Sequence, residues 1–314
     1  MAQVSIARLF EDNREKLKLQ WVAGRKGGAK ALNSERTKDS SLGLIGHLNF
    51  IHPNLIQVLG ASEVTYLNGL EAAQCRSQLT RMTDQELACF IVAGDDPPPQ
   101  ALVEVAEART TPLFRSPLAS VELMWMLRPY LARALAESST SHGVFLDVLG
   151  MGVLITGDSG VGKSELGLEL ISRGSGLIAD DVVELYRIGP ETVEGRCPAL
   201  LRDFLEVRGL GVLNIRTIFG EAALRPRKNL KLIVHLEKPA AGEGVPLERL
   251  PLKPGSEPPM GVDIRKVTIP VAAGRNLAVL TEAAVRNYVL QLRGFDSTQE
   301  FVNRQSQQMK KSDS

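Results

Sequence analysis

The spacing of apolar residues changes within one short stretch and predicts a strand, a loop and a helix in that order. Residues 152–157 read GVLITG, a short apolar run rich in β-branched residues that is typical of a buried strand. Beyond a glycine-rich loop, Leu166, Leu170 and Ile171 recur at helical spacing. The polar residues between these two patterns therefore connect a strand to a helix.

Other apolar segments alternate between strand and helix patterns, which predicts an α/β protein. Residues 63–67, EVTYL, predict a short strand, and residues 84–94, DQELACFIVAG, predict a helical stretch. Residues 120–143 predict a helix that ends in a Ser/Thr-rich link. Because a fresh α/β pattern starts after this link, we predict two α/β domains, spanning residues 1–135 and 136–314.

The composition is that of an ordinary globular protein. Of the 314 residues, 44% are hydrophobic, and 37 basic residues nearly balance 36 acidic ones, so no overall charge favours a nucleic acid or an anionic membrane as partner. Without a signal-peptide pattern or a run of 18 apolar residues, we predict a cytoplasmic protein. Cys75, Cys89 and Cys197 are too few and too widely spaced for a disulfide framework or a zinc site, and we expect three buried thiols.

The glycine-rich loop matches the motif G-x-x-x-x-G-K-[ST]. In this motif backbone N–H groups and a helix N-terminus bind phosphate oxygens, the lysine reaches the β and γ phosphates, and the hydroxyl ligates Mg²⁺. A chance glycine turn is the alternative, but the strand before the loop and the helix after it support nucleotide binding. The predicted nucleotide-binding residues are Gly157, Asp158, Ser159, Gly160, Val161, Gly162, Lys163 and Ser164.

Two neighbouring carboxylates, Asp180 and Asp181, interrupt the apolar residues 176–188, which we interpret as one strand. Acids in such a segment are costly unless a cation or a proton donor faces them. Since side chains alternate along a strand, only one of the pair faces the phosphates. That carboxylate could bind metal through water or take a proton from an attacking hydroxyl, and an ordinary strand end is the alternative.

Three more segments carry charged residues that suit phosphate chemistry. In FLEVRGLGV, alternation places Glu206 and Arg208 on one face of a strand. There the acid could bind metal and the base could bind phosphate, and a surface ion pair between the two is the alternative. His142 precedes the first strand of the second domain. A histidine there can hydrogen-bond a carboxylate base or contact the γ phosphate, and a turn residue with no catalytic part is the alternative. The Pro/Gly-rich residues 237–261 carry Arg249. This segment could be a lid whose arginine closes over the transferring phosphate, and a mobile loop without that function is the alternative.

Taken in order, these motifs resemble the bifunctional HPr kinase/phosphorylase family, bacterial enzymes that phosphorylate a serine of the phosphocarrier protein HPr. The resemblance rests on HGVFLDVLGMGVLITGDSGVGKSELGLELISRG, LIADD, the signature LEVRGLGVLNI, LIVHLE and PVAAGRN. Residues 46–67 are similar to that family's N-terminal domain. The resemblance implies an α/β N-terminal domain before a P-loop kinase domain of the phosphoenolpyruvate-carboxykinase-like type, assembled as a homohexamer.

The resemblance also implies roles for individual residues, with Asp181 as the base for phosphorylation and the acid for its reversal. The implied catalytic residues are His142, Lys163, Asp181 and Arg249, and the implied magnesium ligands are Ser164 and Glu206. The resemblance further implies that both reactions depend on a shared segment, made of Leu205, Glu206, Val207, Arg208, Gly209, Leu210, Gly211, Val212, Leu213 and Asn214. Dephosphorylation depends chiefly on Pro270, Val271, Ala272, Ala273, Gly274 and Arg275.

The sequence departs from the family at Ala272, where a lysine or arginine is usual. Phosphorolysis brings inorganic phosphate beside a phosphoserine, and crowded anions need cations to offset their repulsion. We therefore expect ordinary kinase activity and weak phosphorolysis.

The resulting hypothesis is an enzyme that uses ATP and Mg²⁺ to phosphorylate a serine of HPr. It also uses inorganic phosphate to remove that phosphate, giving pyrophosphate. A small-molecule kinase on the same scaffold and a nucleotide-gated regulatory ATPase are the alternatives. A base such as Asp181 argues against the regulatory ATPase, because a switch needs no base for a hydroxyl.

Overall fold

The computed structural model describes residues 3–33, 56–84, 87–238, 255–272 and 274–312. The chain divides into two compact units, Met1–Glu137 and Ser138–Ser314, which are described one at a time. Within the parts of the chain just given, no helix combines the length and apolar character that crossing a membrane requires.

The first unit contains a four-stranded sheet with helices on both faces. Its elements in chain order are β1 (Gln3–Ser5), α1 (Ile6–Asn13), β2 (Gln20–Ala23), β3 (Ala31–Asn33), β4 (Ile56–Leu59), α2 (Ala61–Asn68), α3 (Ala72–Thr83), β5 (Cys89–Ala93), α4 (Gln100–Ala108), β6 (Leu113–Ser116) and α5 (Ser120–Ala134). The sheet order is β2-β6-β5-β4, in which β4, β5 and β6 are parallel and β2 is antiparallel to β6. Strands β1 and β3 form a separate antiparallel pair.

Two element assignments made from the sequence of the first unit are wrong. Residues 89–93, expected to be helical, form β5, because Cys89 and Ile91 pack with α1 and α5 while Phe90 and Val92 pack in the cluster on the opposite face. A strand buried on both faces has a continuous apolar run and so loses its alternation. Residues 63–67, expected to be a strand, lie in α2, where the Glu63 carboxylate accepts a hydrogen bond from the Gly60 N–H at 3.0 Å and supports the first turn.

The second unit is built on one large mixed sheet. Its elements are β7 (Glu137–His142), β8 (Val144–Val148), β9 (Met151–Gly157), α6 (Lys163–Ser172), β10 (Gly176–Ala179), β11 (Val182–Gly189), β12 (Thr192–Arg196), β13 (Phe204–Val207), β14 (Gly211–Asn214), α7 (Ile215–Phe219), β15 (Arg227–Glu237), β16 (Gly255–Glu257), β17 (Ile264–Pro270), α8 (Leu277–Leu292) and α9 (Ser297–Ser312). The sheet order is β10-β8-β9-β15-β12-β11-β7, and β17 joins β15 and carries β16 on its other side. Strands β13 and β14 form a separate hairpin.

The parallel strands at the centre of this sheet position the glycine-rich loop. Strand β15 is parallel to both β9 and β17, and Leu236 lies opposite Gly157 while Glu237 lies opposite Pro270. The chain segments that follow these three strands therefore leave the sheet at the same edge. Ligands of open α/β sheets bind at the carboxyl ends of the strands, so this edge is where a site is expected.

Two expectations for the second unit need correction. The apolar residues 176–188 are not one strand, because the chain turns after Ala179 and continues as β11, which lies elsewhere in the sheet. The Ser/Thr-rich residues expected to be a link form β7 at the sheet edge, where one strand edge faces away from the sheet and polar side chains are tolerated. The expectation of three buried thiols is confirmed, since Cys75, Cys89 and Cys197 are all reduced and buried.

Candidate active site

The glycine-rich loop curls between the end of β9 and the start of α6. Gly157, Gly160 and Gly162 have φ angles of 138°, 71° and 99°, a region that L-residues with side chains rarely adopt. The Lys163 ammonium donates to the carbonyl oxygens of Gly157 and Asp158, both at 2.9 Å. The Lys163 side chain thus reaches back from the first turn of α6 to the start of the loop.

A cavity of about 410 Å³, which we call the phosphate cavity, opens at this loop. It brings together eleven of the residues predicted from the sequence: Ser159, Gly160, Gly162, Lys163, Ser164, Asp181, Glu206, Val207, Arg208, Gly209 and Gly211. The lining also includes Gly143, Glu165 and Asp180. Residues from four separate parts of the second unit therefore meet in one polar space.

Asp180 is the residue whose importance the sequence did not reveal. The residue is only 6% exposed, and its carboxylate accepts a hydrogen bond from the Ser164 hydroxyl at 3.2 Å and another from the Glu206 backbone N–H at 2.8 Å. Burial raises the pKa of the Asp180 carboxyl, and these two hydrogen bonds oppose the rise. Asp180 therefore ties α6 to the β13–β14 hairpin.

Asp181 lies beside Asp180 in sequence but has the opposite environment. Its φ angle is 63°, and the Val182 N–H donates to the Asp180 carbonyl oxygen at 2.8 Å, which closes a tight turn about Asp181. The Asp181 side chain is 78% exposed, and its Oδ1 lies 4.0 Å from Nδ1 of His142, itself 81% exposed. This turn, rather than strand alternation, separates the two carboxylates and directs one of them to the open cavity.

Glu206 and Arg208 project from the same face of β13 and its extension. The expected alternation is confirmed, because Leu205 and Val207 are buried and the two charged residues are exposed. The Arg208 guanidinium covers the loop at Gly160, where a Cβ atom would lie 2.9 Å from Nη1. Among the described residues the two side chains form no ion pair with each other, so the surface ion pair considered from the sequence is absent.

The remaining predicted residues are not all in the phosphate cavity. Arg249 and Ala273 lie outside the described residues. Gly157, Asp158 and Val161 belong to the loop but do not line the cavity, and neither do His142, Leu205, Leu210 or the residues Val212–Asn214. Gly274 and Arg275 line a second cavity of about 410 Å³, which we call the side cavity; its other residues are Gly162, Glu165, Leu166, Glu169, Asn276 and Leu277.

The donor groups of the phosphate cavity are of the kind that binds magnesium together with substrate phosphates. In the part of the chain that the structure describes, no group of three or more His, Cys, Asp or Glu side chains is placed to bind a metal ion. Mg²⁺ keeps several waters and is usually bound through one or two carboxylates together with substrate phosphates. The Ser164 hydroxyl and the Glu206 carboxylate are donors of that kind.

Comparisons with protein-family models match both units. The model described as "HPr Serine kinase N terminus" matches residues 4–131. The model described as "HPr Serine kinase C-terminal domain" matches residues 133–305. Together the two models cover nearly the whole chain.

Individual relatives agree with the family models. The chain is 60% identical over 309 residues to an HPr kinase/phosphorylase of Nitrosomonas europaea, covering 98% of this chain and 96% of the relative. It is 56% identical over 304 residues to an HPr kinase/phosphorylase of Chromobacterium violaceum, covering 97% and 95%. A solved structure of the Hpr(Ser) kinase/phosphatase from Coxiella burnetii is 38% identical, covers 52% of this chain and 98% of its own, and has a TM-score of 0.46.

Proposed function

Because the chain belongs to the HPr serine kinase family, we propose that it transfers a phosphoryl group from ATP to a serine of HPr and reverses this modification by phosphorolysis. In the reverse reaction inorganic phosphate attacks the phosphoserine and leaves as pyrophosphate. The observation that carries the proposal is the phosphate cavity, which combines Lys163 and Ser164 of the glycine-rich loop with the exposed carboxylate of Asp181.

The loop holds the phosphate chain, and its lysine offsets the charge that moves during transfer. Backbone N–H groups at the start of α6 bind phosphate oxygens, and Lys163 exchanges its contacts with two loop carbonyls for contacts with the β and γ phosphates. The Arg208 guanidinium, which covers Gly160, supplies a second cation at the loop.

Asp181 carries the proton in both directions. The serine oxygen of HPr attacks the γ phosphorus, the bond from phosphorus to the bridging oxygen of ADP breaks, and Asp181 takes the serine proton. In phosphorolysis an oxygen of inorganic phosphate attacks the phosphoserine phosphorus, the bond from phosphorus to the serine oxygen breaks, and Asp181 returns the proton to that oxygen. An exposed carboxylate suits this role because it can meet a hydroxyl carried by another protein.

Ser164 and Glu206 would hold the magnesium ion, and Asp180 fixes their relative position. When bound, Mg²⁺ neutralises part of the charge on the phosphate oxygens. Asp180 contacts the Ser164 side chain and the backbone of Glu206 and is therefore a positioning residue in this proposal. His142, at 4.0 Å from Asp181, adds a positive charge beside the base when it is protonated.

The proposal also includes features carried over from the family resemblance alone. These are a phosphoenolpyruvate-carboxykinase-like type of P-loop domain, a cytoplasmic homohexamer, a catalytic contribution from Arg249, and a role for residues 270–275 in dephosphorylation.

The direct test mixes the purified protein with Mg-ATP and HPr and locates any phosphate by mass spectrometry. We expect one phosphoserine on HPr, and its loss when inorganic phosphate and pyrophosphatase replace ATP. The variant Lys163→Ala, checked for an unchanged thermal melting curve, should lack both activities. ATP turnover that ignores HPr and responds to a metabolite would favour a small-molecule kinase, and turnover that responds to neither would favour a regulatory ATPase.

A further inference from the structure

The side cavity is a second concave space that the proposed chemistry does not use. It lies between one face of α6, which contributes Glu165, Leu166 and Glu169, and the chain at residues 274–277, where α8 begins. Its volume of about 410 Å³ is within the range of about 300–1,000 Å³ that is usual for small-molecule sites. The two cavities share Gly162 and Glu165, so a single ligand could extend from one into the other.

The orientation of a bound triphosphate follows from the groups of the phosphate cavity. Its γ end must lie near Asp181 and Glu206, because transfer takes place there. The glycine-rich loop motif binds the α and β phosphates with the backbone and reaches the β and γ phosphates with the lysine. The α phosphate therefore lies farther from Asp181 than the γ phosphate does, and the side cavity, whose lining includes Gly162 and Glu165 but not Asp181, is a space that the attached nucleoside can enter.

The charges of the side cavity favour a polyol and a ring over another anion. Its lining carries two acids, Glu165 and Glu169, and one base, Arg275. Since Glu169 is paired with Arg173, Glu165 and Arg275 balance each other, and the cavity offers no net positive charge to a further phosphate group. Carboxylates instead accept hydrogen bonds from ribose hydroxyls, and a guanidinium plane stacks on an aromatic ring, while Leu166 and Leu277 provide apolar wall.

Hydrogen bonds within the chain engage two side chains of the side cavity, those of Glu169 and Asn276. The Glu169 Oε1 accepts from Arg173 at 2.8 Å and from the Asn276 amide at 3.3 Å, and the Asn276 Oδ1 accepts from the Val279 N–H at 2.9 Å. These contacts hold the start of α8 against α6. Over the described ranges, by contrast, neither Glu165 nor Arg275 has a side-chain hydrogen bond or an ion pair.

We propose that the side cavity holds the ribose and base of ATP, with Glu165 binding the ribose hydroxyls and Arg275 lying against the base. The inference rests on the proposed function, because the phosphate chain must occupy the loop for the nucleoside to reach this space. It adds a part for Arg275 in the kinase reaction, which uses a nucleoside, to the role in dephosphorylation that the proposed function gives residues 270–275.

Calorimetric titration of the full chain with ADP and with pyrophosphate, in the presence of Mg²⁺, tests the assignment. Glu165→Ala, which removes a hydrogen bond to a charged group, should raise the Kd for ADP about tenfold, and Arg275→Ala, which removes a guanidinium–ring contact, should raise it about fivefold. Their Kd for pyrophosphate should stay within twofold of wild type. Matched controls are Glu122→Ala, which removes an exposed first-turn acid from α5, and Arg286→Ala, which removes an exposed arginine from α8.

Each other outcome contradicts a specific step. Equal weakening of ADP and pyrophosphate would mean that the two side chains act on the phosphate chain, and an unchanged Kd for ADP would place the nucleoside elsewhere. A raised phosphate requirement in phosphorolysis with an unchanged KM for ATP in Arg275→Ala would mean that Arg275 acts in dephosphorylation alone. If wild type binds neither ligand, the proposed function itself is wrong and this inference fails with it.

Discussion

Replacing Asp180 and Asp181 in turn should separate a positioning carboxylate from a proton-carrying one. The perturbations are Asp180→Ala, Asp180→Asn and Asp181→Asn. Asn keeps nearly the volume of Asp and one oxygen acceptor, and it tolerates the positive φ of 63° at position 181. An alanine at 181 would instead add backbone strain of about 1–2 kcal/mol, which would confuse the result.

The structure sets the expected size of each effect. Asp180→Ala leaves the Glu206 N–H without the oxygen that it now contacts at 2.8 Å, which costs about 1–3 kcal/mol. Removing a buried carboxylate offsets part of this cost, so the net value should lie near the lower end of that range. Asp180→Asn keeps an oxygen acceptor for the Glu206 N–H, so this variant should change the free energy of that contact little. Asp181→Asn alters an exposed side chain, so stability should change by less than about 0.5 kcal/mol, while kcat with HPr should fall roughly 10²–10⁴-fold.

Hydrogen exchange at the Glu206 amide is the most direct assay, because it reports this contact without unfolding either unit. A loss of 1–2 kcal/mol corresponds to exchange about 5–30-fold faster, expected in Asp180→Ala and not in the two asparagine variants. Kinase assays on the same samples give kcat. Unchanged exchange in Asp180→Ala would refute the positioning role of Asp180, and equal losses of kcat in Asp180→Asn and Asp181→Asn would refute the assignment of the base.

Three further predictions concern magnesium, phosphate and pH. Glu206→Gln should raise the Mg²⁺ concentration needed for half-maximal kinase activity, because the ion loses a charged oxygen ligand. If Glu206→Gln and the control Glu191→Gln give the same Mg²⁺ titration, Glu206 is not a magnesium ligand. Ala272→Lys should lower the phosphate concentration needed for half-maximal phosphorolysis and leave kinase activity nearly unchanged. Identical phosphate curves for wild type and Ala272→Lys, or the same shift in the control Ala283→Lys, would show that the missing charge at position 272 does not weaken phosphorolysis. Burial raises the pKa of Asp180 above its ordinary value of 3.8, so between these two pH values the folded chain keeps a proton that the unfolded chain has lost. The free energy of unfolding of wild type, relative to that of Asp180→Asn, should therefore fall as pH rises from 3.8 through the folded pKa. Urea unfolding at successive pH values measures this change, and a relative stability of wild type that rises with pH would contradict the prediction.

Local patterns were sufficient where a feature depends on neighbouring residues in the chain. The change from an apolar run to helical spacing around Lys163 predicted the strand, loop and helix that the structure contains. A two-residue period placed Leu205 and Val207 inside and Glu206 and Arg208 outside. Both features follow from backbone geometry over a few residues, so the sequence carries them directly.

Local patterns failed where packing from distant parts of the chain decides the outcome. Residues 89–93 are a strand because helices cover both faces of the sheet, and residues 63–67 are a helix although their composition resembles a strand. The same applies at Ala179, where the chain leaves one strand and joins another. Such choices depend on which surfaces meet, and no window along the sequence contains that information.

The family and its chemistry were therefore within reach of the sequence, because they rest on motifs of contiguous residues. The geometry of the candidate site was not. The different roles of Asp180 and Asp181 arise from a turn with positive φ and from contacts to a hydroxyl 16 residues before Asp180 and an amide 26 residues after it. The side cavity exists because Asn276 is held against Glu169 across 107 residues of chain. Only folding brings such groups within hydrogen-bond distance, since hydrogen bonds act over about 3 Å whatever the separation in sequence.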